Sequence, residues 1–192
     1  EKVVQLQTAY EKLKDERRQL DFEDVLLACA GMLEAEPRVA TEVREQYRHF
    51  TVDEYQDISA LQHRLLMLWL GDRADLCVVG DASQTIYSFA GADPSYLSGF
   101  ESAHPAAKIV RLETNYRSRE PVLQVANELM RGRPGALHLR AASVDESAEL
   151  PSICAFDSDE EEADGIAHSI AQRIKKGAAP GDIAVLFRTS AQ

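Results

Sequence analysis

Two adjacent carboxylates, Asp53 and Glu54, follow the short apolar run Phe50-Thr51-Val52. The run is too short and too continuous for an amphipathic helix, and it predicts a buried strand. Side chains at the carboxyl end of such a strand face the ligand crevice of an open α/β sheet. There, one carboxylate can hold Mg²⁺ while the other orients and deprotonates a water that attacks a phosphoryl group. Taken alone, such a pair is more often a solvated turn.

A second apolar run, residues 76–79, is the next strand candidate, and it ends in Gly80. Glycine at a strand end allows the backbone to approach a ligand closely. Gln84 then supplies a neutral donor and acceptor suited to sensing a terminal phosphate. Tyr87 and Phe89 are rings that can stack on nucleobases, with packing in the core as the alternative.

A third segment places an aromatic ring and a guanidinium directly before a predicted helix. The segment is Asn115-Tyr116-Arg117-Ser118, and it follows the apolar run at residues 109–112. Considered alone, Arg117 is typical of a surface residue.

The rest of the chain supplies the elements that must carry these side chains. Short apolar runs predict strands at residues 50–52, 76–79, 109–112, 153–156 and 183–187. Helical spacing of apolar residues predicts helices at residues 3–20, 22–32, 59–70, 121–130 and 159–176. Strands that alternate with helices of about 10 to 15 residues indicate βαβ units and a parallel sheet, so the predicted fold class is α/β.

Several positions mark where elements begin and where domains divide. Asp21 is a candidate N-cap of the second helix, and Ser158 with Glu161 forms a candidate capping box for the last one. Residues 103–107 form a predicted boundary, because each side carries its own strands and helices. The helix at residues 3–20 has sparse apolar positions, which predicts an exposed stub of a larger element.

Composition excludes some classes of protein. The chain is 45% hydrophobic and 28% charged, and it lacks the roughly 18-residue apolar run of a membrane helix. Its 21 basic and 32 acidic residues give a net charge of −11, which argues against a generic nucleic-acid binder. Nine of the acids lie within residues 145–164, so surface elsewhere can be locally basic. The three cysteines contain no CxxC pair, which predicts no disulfide framework, no zinc site and a reducing, cytoplasmic location.

Together, the three polar segments resemble the UvrD/PcrA/Rep-type superfamily 1 DNA helicases. Residues 52–57 look like the Walker B motif of that family, residues 79–87 like its third motif and residues 115–118 like its fourth. The order and spacing of the segments are also similar. Weaker matches at residues 21–26 and 182–188 extend the resemblance over nearly the whole chain.

The resemblance implies a DNA-translocating ATPase with ATP in the cleft between two RecA-like domains. These P-loop NTPase domains are parallel α/β sheets with helices on both faces. Position by position, Asp53 and Glu54 would hold Mg²⁺, and Glu54 would also activate water. Gln84 would contact the γ-phosphate, Tyr116 would stack on adenine, and Arg117 would be the arginine finger.

The resemblance also implies DNA contacts and a coupling path. Tyr87 and Phe89 fall where the family places aromatic rings against single-stranded bases. Gln56 and Asp57 look like the residues that link the nucleotide site to DNA. Ala90 departs from the pattern, because many relatives have arginine there, and this puts in doubt any contact that the arginine would make.

A second departure is the lack of a GxxxxGK[ST] phosphate-binding loop. We therefore expect a fragment: residues 1–104 as the second half of the first RecA-like domain, with an inserted-subdomain stub at 1–20, and residues 105–192 as the start of the second. On its own this chain should not hydrolyse ATP at a useful rate.

Two other functions remain compatible with the sequence. One is a non-catalytic RecA-like module that binds DNA or a protein, although an inactive site has no physical need to retain the carboxylate pair with Gln84 and Arg117. The other is the motor of a helicase-nuclease. The leading expectation is a 3′-to-5′ helicase that acts on single-stranded and duplex DNA in repair or replication.

Overall fold

The computed structural model describes residues 2–143, residue 145 and residues 148–187. The chain forms two compact units that divide between residues 146 and 147. This division reflects contacts within the chain. The predicted boundary after residue 104 concerns the domains of the family, and it stays a prediction.

The first unit carries almost all of the regular structure. Its helices and strands are, in chain order, α1 (Lys2–Arg17), α2 (Phe22–Ala35), α3 (Pro37–Gln46), β1 (Phe50–Val52), α4 (Ala60–Leu70), β2 (Leu76–Val78), α5 (Ser95–Ser98), α6 (Phe100–Ala103), β3 (Thr114–Asn115), α7 (Glu120–Met130) and β4 (Arg140–Ala141). The second unit contains α8 (Asp159–Lys175). The five predicted helices are confirmed, and within the described residues none is long and apolar enough to cross a membrane.

Two short parallel strand pairs form the sheet structure of the first unit. β1 pairs with β2 in parallel, with Phe50 opposite Leu76 and Val52 opposite Val78. The prediction of parallel strands at residues 50–52 and 76–79 is therefore confirmed, but the prediction that they are buried is wrong. In each three-residue strand the first and last residues are half-buried and the middle one is exposed, because the pair has no further strand beside it among the described residues. β3 pairs in parallel with β4, a strand that the sequence pattern did not predict. Parallel strand pairs connected through helices agree with the predicted α/β class. A larger sheet with helices on both faces stays a prediction.

Three predicted strands are wrong in this structure. Residues 109–112, 153–156 and 183–187 have no strand conformation, although each run is apolar. A strand exists only when a neighbouring strand pairs with its N–H and C=O groups. These runs lack such a neighbour among the described residues, and side chains such as Ile153 and Leu186 are more than nine-tenths exposed.

A small helical core supports β1. Ala30 and Leu33 of α2 pack with Ala40 of α3 and Leu65 of α4, and all four are buried. The ring of Phe50 stacks on Trp69 of α4, with 6.1 Å between ring centroids. The helical core thus contacts β1 through Phe50, in the strand that leads to the paired carboxylates.

Helix caps set where these elements begin. Asp21 caps α2 in a reciprocal box with Asp24, as its position predicts. Ser158 caps α8 by accepting from the Glu161 N–H, but the Glu161 carboxylate accepts from the N–H of Asp157 rather than from Ser158. Of the two hydrogen bonds of the predicted capping box, the one from the Glu161 N–H to Ser158 is therefore confirmed, and the return bond goes to Asp157 instead. Helix α3 was missed, although Pro37 stands at its first turn, where proline is favoured.

Candidate nucleotide and nucleic-acid site

The paired carboxylates stand at the carboxyl end of β1. Asp53 Oδ1 accepts from the backbone N–H of Glu54 at 2.9 Å. Glu54 has left-handed backbone angles, φ 52° and ψ 40°, which are uncommon for a residue with a Cβ. Both side chains are exposed. The tight turn therefore presents two carboxylates to solvent at one strand end.

Gln56 is the buried centre of this region, with 1% of its surface exposed. Its Nε2 donates to Glu54 Oε2 at 2.7 Å, and its Oε1 accepts from the backbone N–H of Asp81 at 3.0 Å. The second bond reaches the loop that follows β2. A Cβ added to Gly80 would lie 2.5 Å from Gln56 Oε1, so the amide fits only because residue 80 is glycine.

Asp57 lies beside this amide but is less well paired. Its Oδ2 is 3.4 Å from Gln56 Nε2, which is a weak contact. Its Oδ1 is buried and has no hydrogen-bond partner within the described part of the chain. The predicted coupling role of Asp57 is untested by these contacts.

Asp81 connects the buried amide to Gln84. Its Oδ1 accepts from the Ser83 N–H at 2.9 Å, and its Oδ2 accepts from Gln84 Nε2 at 3.0 Å. Gln84 is exposed. A continuous path of hydrogen bonds and covalent structure thus runs from Glu54 through Gln56 and Asp81 to Gln84.

Tyr87 and Phe89 lie a few residues beyond Gln84, on the surface. Their exposed fractions are 50% and 85%, and their ring centroids are 6.2 Å apart with the planes tilted by 54°. Of the two alternatives for these rings, packing in the core is therefore wrong, and stacking on bases stays a prediction. Two exposed neighbouring rings form a platform on which planar bases can stack.

The base of this loop is tied back to the segment that carries Asp57. Ser59 and Ala92 form an isolated antiparallel bridge, and the Asp93 N–H donates to the Ile58 carbonyl at 3.1 Å. The aromatic pair is therefore anchored, through its own loop, to the residues that follow the paired carboxylates.

Tyr116 and Arg117 occupy the short turn between β3 and α7. Tyr116 is 87% exposed, and Arg117 is also exposed. In the described part of the chain, no hydrogen bond or ion pair joins either side chain to Asp53, Glu54 or another residue. The structure therefore groups Glu54, Gln56, Asp57 and Gln84 in one cluster and leaves Tyr116 and Arg117 as a separate exposed pair.

The donor set at the paired carboxylates fits Mg²⁺. Across the described residues there is no group of three or more His, Cys, Asp or Glu side chains that could hold a metal ion. An ion at Asp53 and Glu54 would have at most two protein carboxylates. Mg²⁺ is commonly bound in this way, because it retains several waters and takes further oxygens from substrate phosphates.

Burial and hydrogen bonding shift a few pKa values around the site. Burial raises the pKa of Tyr55, whose ring packs edge-on against Phe100 with centroids 5.9 Å apart. Burial also lowers the pKa of His63, whose ring stacks on Tyr96 at 4.0 Å. These ring contacts join Tyr55 to α6 and join α4 to α5.

The structure gives Gly80, Asp81 and Asn115 roles that the sequence does not predict. Each acts through the backbone or through a neighbour, so its residue type alone gives little signal. The sequence predicts a close approach of a ligand at Gly80, whereas the structure places the Gln56 amide there. Asp and Asn just after a strand are typical of turns that bind their own backbone, and this was the available signal.

Paired carboxylates and polar loops at the ends of parallel strands are typical of α/β proteins that bind nucleotides. Residues 1–105 match the model of the UvrD/REP helicase N-terminal domain, and residues 110–192 match that of the UvrD-like helicase C-terminal domain. The chain belongs to the UvrD/Rep helicase family. Membership implies the RecA-like α/β fold, with which the short parallel pairs are compatible.

Several bacterial proteins are similar to the chain over almost its whole length. The ATP-dependent DNA helicase UvrD2 of Mycobacterium tuberculosis is 44% identical over 196 residues, which cover 99% of this chain and 28% of UvrD2. YjcD of Bacillus subtilis is 31% identical over 98% of this chain and 25% of its own length. The ATP-dependent DNA helicase PcrA of Staphylococcus aureus is 30% identical over 99% and 26%. The chain thus spans about a quarter of the length of these relatives.

Proposed function

We propose that this chain is part of an ATP-dependent DNA helicase that couples ATP hydrolysis to 3′-to-5′ translocation on single-stranded DNA and to duplex unwinding. The observation that carries the proposal is the connected cluster from Glu54 to Gln84, followed directly by the exposed Tyr87 and Phe89 pair. A cluster suited to phosphate chemistry and a platform suited to bases share one loop. The related UvrD2 and PcrA are named as ATP-dependent DNA helicases, which supports the proposal.

In the proposed nucleotide site, Asp53 and Glu54 hold Mg²⁺, which neutralises phosphate charge when it is bound. Glu54 orients the attacking water and accepts its proton through the exposed carboxylate. Its orientation is set by the Gln56 amide at 2.7 Å. Gln84 donates to the γ-phosphate with the N–H of Nε2 that Asp81 leaves unused, because the amide nitrogen has two donors.

The exposed turn after β3 supplies the remaining nucleotide contacts. Tyr116 stacks on adenine, and Arg117 stabilises the charge that develops on the transferred phosphoryl group. For this to occur, the segment before residue 104 and the segment after it must be two RecA-like domains that share a cleft. That division is part of the proposal.

The proposed DNA contacts are the rings of Tyr87 and Phe89. Stacking is sequence-tolerant, as translocation requires, and each stacked base contributes about 1 to 3 kcal/mol. Gln56 and Asp57 would relay changes at the nucleotide to this loop. The assignment to DNA repair or replication, in the cytoplasm, follows the same analogy.

Three variants of the full-length helicase that contains this chain test the proposal. Glu54→Gln should lower the kcat of single-stranded-DNA-stimulated ATP hydrolysis by about 10²- to 10⁴-fold, because the general base is lost. Phe89→Ala should weaken single-stranded DNA binding by about tenfold. Phe22→Ala is the matched control, because its ring is 87% exposed and lies on α2, and it should leave DNA affinity unchanged.

The outcomes separate the proposal from its alternatives. A wild-type protein that binds DNA but has no ATPase activity would instead be a non-catalytic module. Full ATPase activity in Glu54→Gln would remove the general-base assignment. Equal DNA affinity in wild type and Phe89→Ala would overturn the assignment of Phe89 as a residue that stacks on bases.

A further inference from the structure

The turn that carries Tyr116 and Arg117 is held by one side chain, that of Asn115. Its Oδ1 accepts from the backbone N–H of Arg117 at 2.9 Å and from that of Ser118 at 2.7 Å. A carboxamide oxygen has two lone pairs, so both are used within this turn. The backbone at Arg117 therefore has a fixed position relative to Asn115.

Asn115 is itself anchored to a strand. It is the last residue of β3, and its carbonyl accepts from the Ala142 N–H at 2.8 Å beyond β4. The Arg140 N–H donates to the Glu113 carbonyl at 2.9 Å on the other side of the pair. The Asn115 side chain thus fixes the backbone of the turn up to Ser118, three residues beyond the end of β3.

Within the described residues, no hydrogen bond or ion pair holds the side chains of Tyr116 and Arg117. The Arg117 guanidinium makes no hydrogen bond or ion pair in the described part of the chain, whereas the neighbouring Arg119 pairs with Asp145 at 3.3 Å. A free arginine side chain samples many rotamers. Its reach to a target is then limited by how well its backbone is fixed.

We infer that Asn115 is a positioning residue for Arg117, and that it acts by fixing the turn from which the guanidinium reaches the nucleotide. This inference rests on the proposed function, in which Arg117 is the arginine finger. Asn115 itself touches neither substrate nor reacting atoms. A displacement of about 1 Å at a catalytic group can lower a rate by about 100-fold, so loss of the two hydrogen bonds should be visible in kcat.

The test uses the full-length helicase and steady-state ATPase kinetics with saturating single-stranded DNA. Arg117→Ala should lower kcat by about 10³-fold or more. Asn115→Ala should lower kcat by at least about tenfold with a smaller change in KM. Asn115→Asp keeps the accepting oxygen and should recover kcat to within about threefold of wild type.

A double variant separates positioning from a simple loss of stability. Because Asn115 acts through Arg117, the double variant Asn115→Ala with Arg117→Ala should be no slower than Arg117→Ala alone, within about threefold. Asn127→Ala is the matched control. Asn127 also makes two side-chain bonds to backbone, with the Leu139 carbonyl at 2.8 Å and the Leu139 N–H at 3.0 Å. It should lower the melting temperature much as Asn115→Ala does, but keep kcat near wild type.

Each contrary result has a distinct meaning. If Arg117→Ala retains wild-type kcat, both the arginine-finger assignment and this inference are overturned. If Arg117→Ala is slow but Asn115→Ala stays within threefold of wild type, only the inference is overturned. The same holds if the two effects multiply in the double variant, or if Asn127→Ala lowers kcat as much as Asn115→Ala does.

Discussion

Arg73, in the loop between α4 and β2, directs all five of its N–H donors to backbone carbonyls at the ends of two helices. The acceptors are the carbonyl oxygens of Leu70 (2.9 Å), Trp69 (2.9 Å), Tyr47 (3.0 Å), Arg44 (3.1 Å) and Arg48 (3.2 Å). The last carbonyls of a helix lack partners within the helix, and the helix dipole makes that end negative. One guanidinium therefore caps both α3 and α4 and joins them beneath β1.

The size of this contribution follows from the burial of the bonds. The bonds to Leu70, Trp69 and Arg44 are partly buried, and the other two are exposed. Arg73→Met keeps the aliphatic length but leaves three partly buried carbonyls unpaired, at about 1 kcal/mol each. Water replaces the exposed bonds at little cost. We expect Arg73→Met to lower the free energy of unfolding by about 3 kcal/mol.

Arg73→Lys should lie between wild type and Arg73→Met. Lysine keeps the positive charge at the helix ends but has three donors on a single nitrogen and no planar fork. It can serve the acceptors of one helix end but not both at once. We expect about half of the loss, near 1.5 kcal/mol.

Urea unfolding followed by tryptophan fluorescence measures these changes directly. Trp69 is the single tryptophan, and it stacks on Phe50 at the junction that Arg73 caps. Arg38→Met is the control, because Arg38 is a highly exposed α3 arginine paired with Glu42 at 3.3 Å, and its loss should change stability by less than about 0.5 kcal/mol. Wild-type stability in Arg73→Met, or full stability in Arg73→Lys, would refute this account of the junction.

Three further predictions concern other parts of the chain. Gly80→Ala should lower the free energy of unfolding by about 1 to 3 kcal/mol in the same urea assay, because the added Cβ would lie 2.5 Å from Gln56 Oε1. Gly31→Ala on α2 is the control: its added Cβ meets nothing within 4 Å, and it should raise the free energy of unfolding by up to about 1 kcal/mol. The hydrogen bond from Lys14 lowers the pKa of Asp21 from 3.8 to about 2, so stability should fall as the pH drops from about 4 to about 2. Lys14→Met should flatten that part of the pH profile, and an unchanged profile would contradict the assignment. Finally, calorimetric titration of this chain with Mg·ATP should detect no micromolar binding, because the sequence contains no GxxxxGK[ST] loop.

The sequence predicted well where an element and its partner both belong to the described chain. The runs at residues 50–52 and 76–79 pair with each other, so their apolar pattern and their strand state agree. The runs at 109–112 and 153–156 have the same apolar pattern, but no described strand lies beside them to pair with their backbone. Apolar character alone therefore predicted two strands that do not form.

The candidate site also contains features that the sequence predicts and features that it does not. Residue type and position were enough to place Asp53 and Glu54 at a strand end, whereas for Tyr87 and Phe89 they left stacking and core packing open until the structure showed both rings on the surface. The burial of Gln56 was not predictable, because it depends on a glycine 24 residues further along the chain and on the pairing of β1 with β2. A polar side chain becomes a core residue only when distant backbone supplies its partners.

The direction of the Gln56 amide gives the proposed coupling a physical basis. The Asp81 N–H can only donate, so Gln56 must turn its oxygen towards it, and the nitrogen then faces Glu54. The amide cannot flip without losing both bonds in a buried site, where unpaired polar groups are costly. In the proposed coupling, a shift of the loop at Gly80 and Asp81 would move the amide and change the support of the Glu54 carboxylate. Because the same loop continues to the Tyr87 and Phe89 rings, a base that displaced those rings would then alter the orientation of Glu54 without touching it.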